Sequence, residues 1–361
     1  AACVYTQNLV KGAPIAVTKS HVADGYAQAI VCNSGNANTC NANGIEIAEG
    51  MCSLVSEKTG IPAADVVVAS TGVIGQPLSL EPIAAGMDEL VRGLGDNSLY
   101  AAQGIMTTDT VDKQIAYTFT LGGKECRIGA IGKGVGMINP NMATMLIFIT
   151  TDVSISPAML QKALSADVKD SFNMVSVDGD TSTNDMVCVL ANGLAGNDTI
   201  EENGKDFVTF RKALNKVTTN LCRRIAKDGE GATKLLECKV VGAKSKSAAK
   251  LIAKSVIKSS LFKAAMFGAD ANWGRVLCAI GYAGADADIH KIDVDFKSRE
   301  GTLAVCRGGS GIPFSEEEAK RILSQDEIEI LINMNDRGGK ATAWGCDLTY
   351  DYVKINGDYR T

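Results

Sequence analysis

The sequence predicts an α/β fold of layered mixed sheets covered by helices. Three observations carry that expectation. Strand-like and helix-like segments alternate early in the chain, two long apolar-periodic helices follow residue 200, and strand-like runs return towards the end. At 361 residues the chain exceeds the usual size of one domain, so two lobes or one large layered body is expected.

Residues 27–32 read as a buried strand, 46–58 as a helix, 65–69 as a strand and 80–91 as a helix. Ile115, Tyr117, Phe119 and Leu121 alternate with Ala or Thr, and Gly122-Gly123 turns the chain into 126–131, the pattern of a hairpin. Residues 146–149 form a short buried strand. Ser156 and Pro157 open a helix expected to run to about Phe172. Phe207, Phe210, Leu214, Val217, Leu221 and Ile225 recur at three- and four-residue spacing, an amphipathic helix of about five turns. A second long helix is expected over 248–267. Lys246, Lys250, Lys254 and Lys258 share one stripe of it, read as a solvated face opposite Leu251, Val256 and Phe262. Further strands are expected at 291–296, 302–306, 327–334, 341–348 and 352–355.

Composition narrows the function classes. Hydrophobic residues make up 46% and charged residues 21%, enough for a sizeable core. A formal charge of −5, from 36 basic and 41 acidic residues, argues against nucleic acid as a partner. The longest apolar runs, 145–149 and 66–69, are strand-sized, so no membrane span is expected, and no charged-then-apolar leader opens the sequence. Eleven cysteines, an odd number without a C-x-x-C pair, read as buried free thiols of a reducing cytoplasm, with no metal cluster expected. Only two histidines occur. His21 is expected in a polar loop and His290 in a strand, neither beside a nucleophile motif, so an enzyme built on this chain needs a base other than histidine.

The segment 132–146 is rich in glycine and ends in Asn139-Pro140-Asn141-Met142-Ala143-Thr144 before an apolar strand. It cannot open a helix as a dinucleotide fingerprint must, and no phosphate-loop motif occurs. It does suit backbone self-cleavage between Ala143 and Thr144. The Thr144 hydroxyl would attack the Ala143 carbonyl, and water would hydrolyse the resulting ester. The freed α-amine, with a reference pKa of about 7.7–8.0, would then serve as base beside its own hydroxyl. On pattern alone an Ala-Thr pair before a strand is commonplace and assigns nothing.

The run Lys-Gly-Val-Gly-Met-Ile-Asn-Pro-Asn-Met-Ala-Thr-Met-Leu (133–146) resembles the cleavage motif of the ornithine acetyltransferase (glutamate N-acetyltransferase) family of arginine biosynthesis. Segments 33–38, 70–75, 106–110, 177–185, 228–234, 272–275 and 355–361 resemble the same family, in order along the whole chain. Its members often carry Glu and Pro where Ala269 and Ala271 stand here, and usually reach the segment 2–8 only after some tens of residues.

The resemblance implies a fold similar to the self-processing aminopeptidases and ornithine acetyltransferases. It divides the chain into 1–143, ending at the cleavage site, and 144–361, beginning with the nucleophile. It implies acetyl transfer from N-acetylornithine to glutamate through an acetyl-threonine, with no cofactor; versions with and without acetyl-CoA as a further co-substrate share these motifs, so the sequence leaves that co-substrate open. Thr144 would be the nucleophile, and Thr71 and Gly72 the oxyanion hole. Thr107, Lys133, Glu230, Asn356 and Thr361 would join Thr144 in binding substrate. Lys133 would meet the α-carboxylate and Glu230 the side-chain amine. The cleaved parts would associate as a heterotetramer. Two rival readings are an N-terminal-threonine aminopeptidase or amidase that passes the acyl group to water, and an uncut, non-catalytic scaffold. Asp178, Asp180 and Asp185 lack calcium-loop spacing and are expected to form a structural turn network near the site.

Overall fold

A computed structural model describes residues 1–139 and 145–358. The chain opens with β1 (Ala2–Tyr5), α1 (Ala13–His21), β2 (Ala29–Asn33), α2 (Gly44–Thr59), β3 (Val66–Ser70), α3 (Glu81–Arg92) and α4 (Ser98–Gly104). The hairpin β4 (Lys113–Leu121) and β5 (Lys124–Lys133) leads to β6 (Leu146–Thr151), α5 (Pro157–Asp167), β7 (Val175–Ser176) and β8 (Met186–Ala191). Then come α6 (Lys205–Lys227), β9 (Leu235–Ala243), α7 (Lys246–Lys258), α8 (Ser260–Phe267) and α9 (Trp273–Gly281). The chain continues with β10 (Asp293–Ser298), β11 (Gly301–Arg307), β12 (Ser310–Gly311), α10 (Glu316–Leu323), β13 (Glu327–Asn333), β14 (Gly339–Cys346) and α11 (Tyr350–Asp358).

Three sheets result. A five-stranded sheet runs β1-β8-β6-β5-β4, a seven-stranded sheet β12-β11-β10-β13-β9-β14-β7, and β2 and β3 pair in parallel. Strand β6 shows why these form layers. Its Ile147 and Ile149 enter a large core shared with α5 and α6, while Leu146 and Phe148 face a second core with Ile15 of α1 and Val67 and Ala69 of β3. A strand buried on both faces reads as a continuous apolar run, as 145–149 does. Each such side chain contributes about 1.5–3 kcal/mol when fully buried. Helix α6 spans from β4 and β5 to β9 and β14, and α7 lies on β9 and β14. The expected layered α/β architecture is therefore present.

Several expected elements differ in detail. The long helix over 248–267 is two helices, because Ser259 leaves helical geometry (φ −67°, ψ 107°) and its hydroxyl caps α8 at the Phe262 N–H, 3.2 Å away. Helix α5, capped by Ser156 as expected, stops at Asp167, whose carboxylate gathers Ser171, Asn215 and Thr218. Burial pushes that carboxyl up despite those bonds. Residues 352–355 are helix α11 rather than a strand. Tyr352 and Ile355 stand three apart on one half-buried face, and the Thr349 hydroxyl accepts the Tyr352 N–H. His21 closes α1 instead of lying in a loop, with Nδ1 2.8 Å from the Val66 carbonyl, and His290 sits in a 3₁₀ turn.

The lysine stripe is not a free solvated face. Lys246 and Lys250 pair with Asp170, and half-buried Lys254 donates to the carbonyls of Asn173 and Val175, while Leu251 is exposed. Burial lowers the Lys254 ammonium to about 7. Eight of the eleven free thiols are buried. No helix among the described residues is long and apolar enough to cross a membrane.

Candidate active site

Strands β5 and β6 pair antiparallel with Lys133 opposite Leu146, so the segment between them leaves and returns at one end of the five-stranded sheet. Residues Ala143, Thr144 and Thr361 lie outside the described residues. The positions flanking them are well fixed. Asp178 accepts the N–H groups of Met137 (2.6 Å) and Ile138 (2.9 Å), and Asn139 bonds the Gly179 carbonyl, which holds the loop after Lys133 against 178–181. Asp178 thus makes structural turn contacts of the kind expected of these aspartates, including one to the Asp180 N–H (3.2 Å). On the other side, Met145 accepts from Met186 N (3.0 Å), and the Met145 N–H bonds the Asp185 carboxyl. Asp185 is buried, one of its oxygens has no hydrogen-bond partner among the described residues, and burial pushes its carboxyl well above the ordinary range.

Thr71 and Gly72 follow β3. They are tied to this region through Asn184, whose amide donates to the carbonyls of Ser70 (2.9 Å) and Ala37 (2.6 Å). Gly72 has φ +124°, and a Cβ there would stand 2.6 Å from the Gly35 carbonyl carbon, so only glycine fits. The Thr71 N–H is engaged by the Asn33 carbonyl (2.9 Å).

The remaining expected binding residues converge on the adjacent threonines 107 and 108. Lys133, 8% exposed at the end of β5, donates to the Thr107 hydroxyl at 2.7 Å. Glu230, in the turn after α6, accepts from the Thr108 hydroxyl (2.8 Å) and from Asn356 on α11 (2.9 Å). Its own N–H bonds the Val135 carbonyl at 2.9 Å. Gly136 makes room for this, because a Cβ there would sit 2.4 Å from the Glu230 carboxyl carbon. An ammonium and a carboxylate are therefore each bonded to one of two adjacent threonine hydroxyls.

Beneath them lies a charge cluster that the motifs did not single out. Lys113, fully buried, donates to Asp109 (2.7 Å), Asp228 (2.6 Å) and the Val111 carbonyl (3.2 Å). Asp109 also accepts from Gly134 N (2.9 Å) and Thr107 N (3.2 Å), and Asp228 accepts from Thr110 through its N–H and hydroxyl. Burial works against the Asp109 charge, but Lys133, Lys113 and the Gly134 N–H hold its carboxyl below the usual range. Burial lowers the Lys133 ammonium, with Asp109 opposing that shift. One sequence signal was available: Lys113 shares strand parity with Ile115, Tyr117, Phe119 and Leu121, which makes it an inward-facing lysine.

The ArgJ family model matches residues 1–361. The chain belongs to the ArgJ family. It is 50% identical over its whole length to "Arginine biosynthesis bifunctional protein ArgJ 1" of Clostridium acetobutylicum, covering 89% of that protein. It is 49% identical to the ArgJ protein of Caldanaerobacter subterraneus subsp. tengcongensis, over 99% of this chain and 89% of that one. A crystal structure of the ArgJ protein of Bacillus halodurans superposes with a TM-score of 0.56 at 46% identity, covering 59% of this chain and 98% of that chain. ArgJ membership accords with the family read from the ordered motifs.

Proposed function

We propose that this ArgJ chain transfers an acetyl group from N-acetylornithine to glutamate through an acetyl ester on Thr144. The observation that carries this reading is the convergence of Lys133 and Glu230 on Thr107 and Thr108, in a chain that the ArgJ family model matches throughout. A basic amino acid brings an α-carboxylate and a side-chain ammonium, the complements of that pair. Glu230, with Asn356 and Thr108 on its two oxygens, would take the side-chain ammonium.

The Thr144 hydroxyl attacks the acetyl carbonyl while its own α-amine takes the hydroxyl proton. The Thr71 hydroxyl and Gly72 N–H stabilise the oxyanion. The amide C–N bond breaks, ornithine leaves carrying that proton, and the acetyl group remains as an ester. Glutamate then attacks the ester through its amine and leaves as N-acetylglutamate, which regenerates Thr144. Acetyl-CoA in place of N-acetylornithine would load the same threonine by thioester cleavage, a second activity in keeping with the word "bifunctional" in the relatives' names.

The α-amine requires cleavage at Ala143-Thr144, giving parts 1–143 and 144–361. The five-stranded sheet supports parts that stay together: β1 pairs with β8 and β5 with β6, each pair joining one strand from either side of the cut. Two such cleaved pairs would form the heterotetramer, and Thr361 would complete the substrate site.

Steady-state assays test the reading. N-acetylornithine with glutamate should yield ornithine and N-acetylglutamate in equal amounts, with parallel-line kinetics. Acetate released at the same rate without glutamate would favour the amidase, and no turnover by cleaved protein would reject the transferase.

A further inference from the structure

We propose that Lys113 is a decoy cation: by occupying the Asp109 carboxylate it keeps the Lys133 ammonium available for the carboxylate of an amino-acid substrate. The proposal rests on the reading of Lys133 given above and adds a positioning residue to it.

The geometry is specific. All three protons of the Lys113 ammonium are spent, on Asp109, Asp228 and the Val111 carbonyl, and its side chain is wholly buried. Asp109 accepts Lys113 and Gly134 N on one oxygen and Thr107 N on the other. Lys133 stands 3.8 Å from that second oxygen, too far for a hydrogen bond, and donates instead to the Thr107 hydroxyl at 2.7 Å. A neutral hydroxyl is a weaker acceptor than a carboxylate, so an incoming substrate carboxylate competes with Thr107 rather than with Asp109. Burying a lone carboxylate is costly, and an Asp109 without Lys113 would draw in the nearest cation. That cation is Lys133, which needs to move only about 1 Å to reach hydrogen-bond distance.

The titratable groups around Lys133 are Asp109, Lys113, Cys32, Glu230 and Asp185. The Lys113 charge repels that of Lys133, so removing Lys113 also makes Lys133 harder to deprotonate.

The test compares Lys133→Met, Lys113→Met, Asp109→Asn and the double variant Lys113→Met/Asp109→Asn, each cleaved and assayed with glutamate as acceptor. Lys113→Met should raise KM for glutamate at least about tenfold, the effect of one lost charged hydrogen bond. It should also move the alkaline limb of the kcat/KM profile to higher pH. The double variant should recover most of the lost KM, because nothing remains to capture Lys133, and its alkaline limb should lie below that of Lys113→Met. Asp109→Asn alone keeps the Lys113–Asp228 pair, should fold if Lys113→Met does not, and should leave KM for glutamate within threefold of the unsubstituted enzyme while lowering the alkaline limb. A double variant no better than Lys113→Met, or an alkaline limb that does not respond to Asp109→Asn, would overturn the proposal. An unchanged KM in Lys133→Met would instead remove the reading of Lys133 on which it stands.

Discussion

Replacing Gly136 by alanine should damage catalysis without damaging the fold. The new methyl would lie 2.4 Å from the Glu230 carboxyl carbon and Oε2 and 2.5 Å from Oε1, where ordinary contact begins at 3.4 Å. The obstacle is the far end of a flexible side chain, so the strain is relieved by a retreat of the carboxylate of about 1 Å. That retreat lifts Glu230 off its 2.8 Å bond from Thr108 and its 2.9 Å bond from Asn356. A hydrogen bond to a charged group is worth about 1.5–3 kcal/mol, and Glu230 is half-buried, so the lower end applies. At about 1.4 kcal/mol per factor of ten, kcat/KM for N-acetylornithine should fall about ten- to thirtyfold. The glutamate half-reaction offers no side-chain ammonium to Glu230 and should lose less. Steady-state kinetics with each substrate varied, beside a calorimetric melt, gives both readouts. Activity within threefold of the unsubstituted enzyme would refute the placement of Glu230 against Gly136. So would a loss that merely follows a fall in Tm.

Other substitutions probe neighbouring parts of the site. Gly72→Ala sets a methyl 2.6–2.8 Å from the backbone of Gly35 and Asn36 at φ +124°, and neither can move aside cheaply. It should lower stability by about 1–3 kcal/mol and displace Thr71, abolishing most acetyl transfer; normal melting together with normal kcat would count against the oxyanion site. Burial raises the Asp185 carboxyl, so the folded state holds its proton longer than the unfolded chain does. Stability from this group therefore falls as pH rises from the unfolded value of about 4 towards the folded one. Asp185→Asn, made in an uncut Thr144→Ala chain, should show a shallower fall between pH 4 and 7 in denaturant titrations. An identical slope in both chains would sink that argument.

Local pattern revealed most of the scaffold and little of the charge network. The β4–β5 hairpin, the two-sided burial of β6 and the apolar stripe of α6 follow from periodicity, which a single sequence displays directly. The break at Ser259 did not, since the apolar spacing runs on across α7 and α8 and only a serine marks the stop. Residues 352–355 differ from the strand expected because a short apolar run fits strand or helix until the Thr349 contact fixes it. Within the site, Thr107, Lys133, Glu230 and Asn356 are named by the family motifs, and the structure adds Thr108, which bonds Glu230. Asp109 and Lys113 are near neighbours in sequence, but Asp228 joins them from a distant segment, which no spacing rule encodes; strand parity hints only at the inward lysine.

Intact mass tests the central claim most directly. Purified protein should separate into two fragments meeting at residues 143 and 144. After incubation with N-acetylornithine alone, the fragment beginning at Thr144 should be heavier by one acetyl group, and glutamate should remove it. An uncut 37.8 kDa chain that still turns over, or a turning-over enzyme whose acetyl group never appears on that fragment, would contradict a threonine-borne transfer.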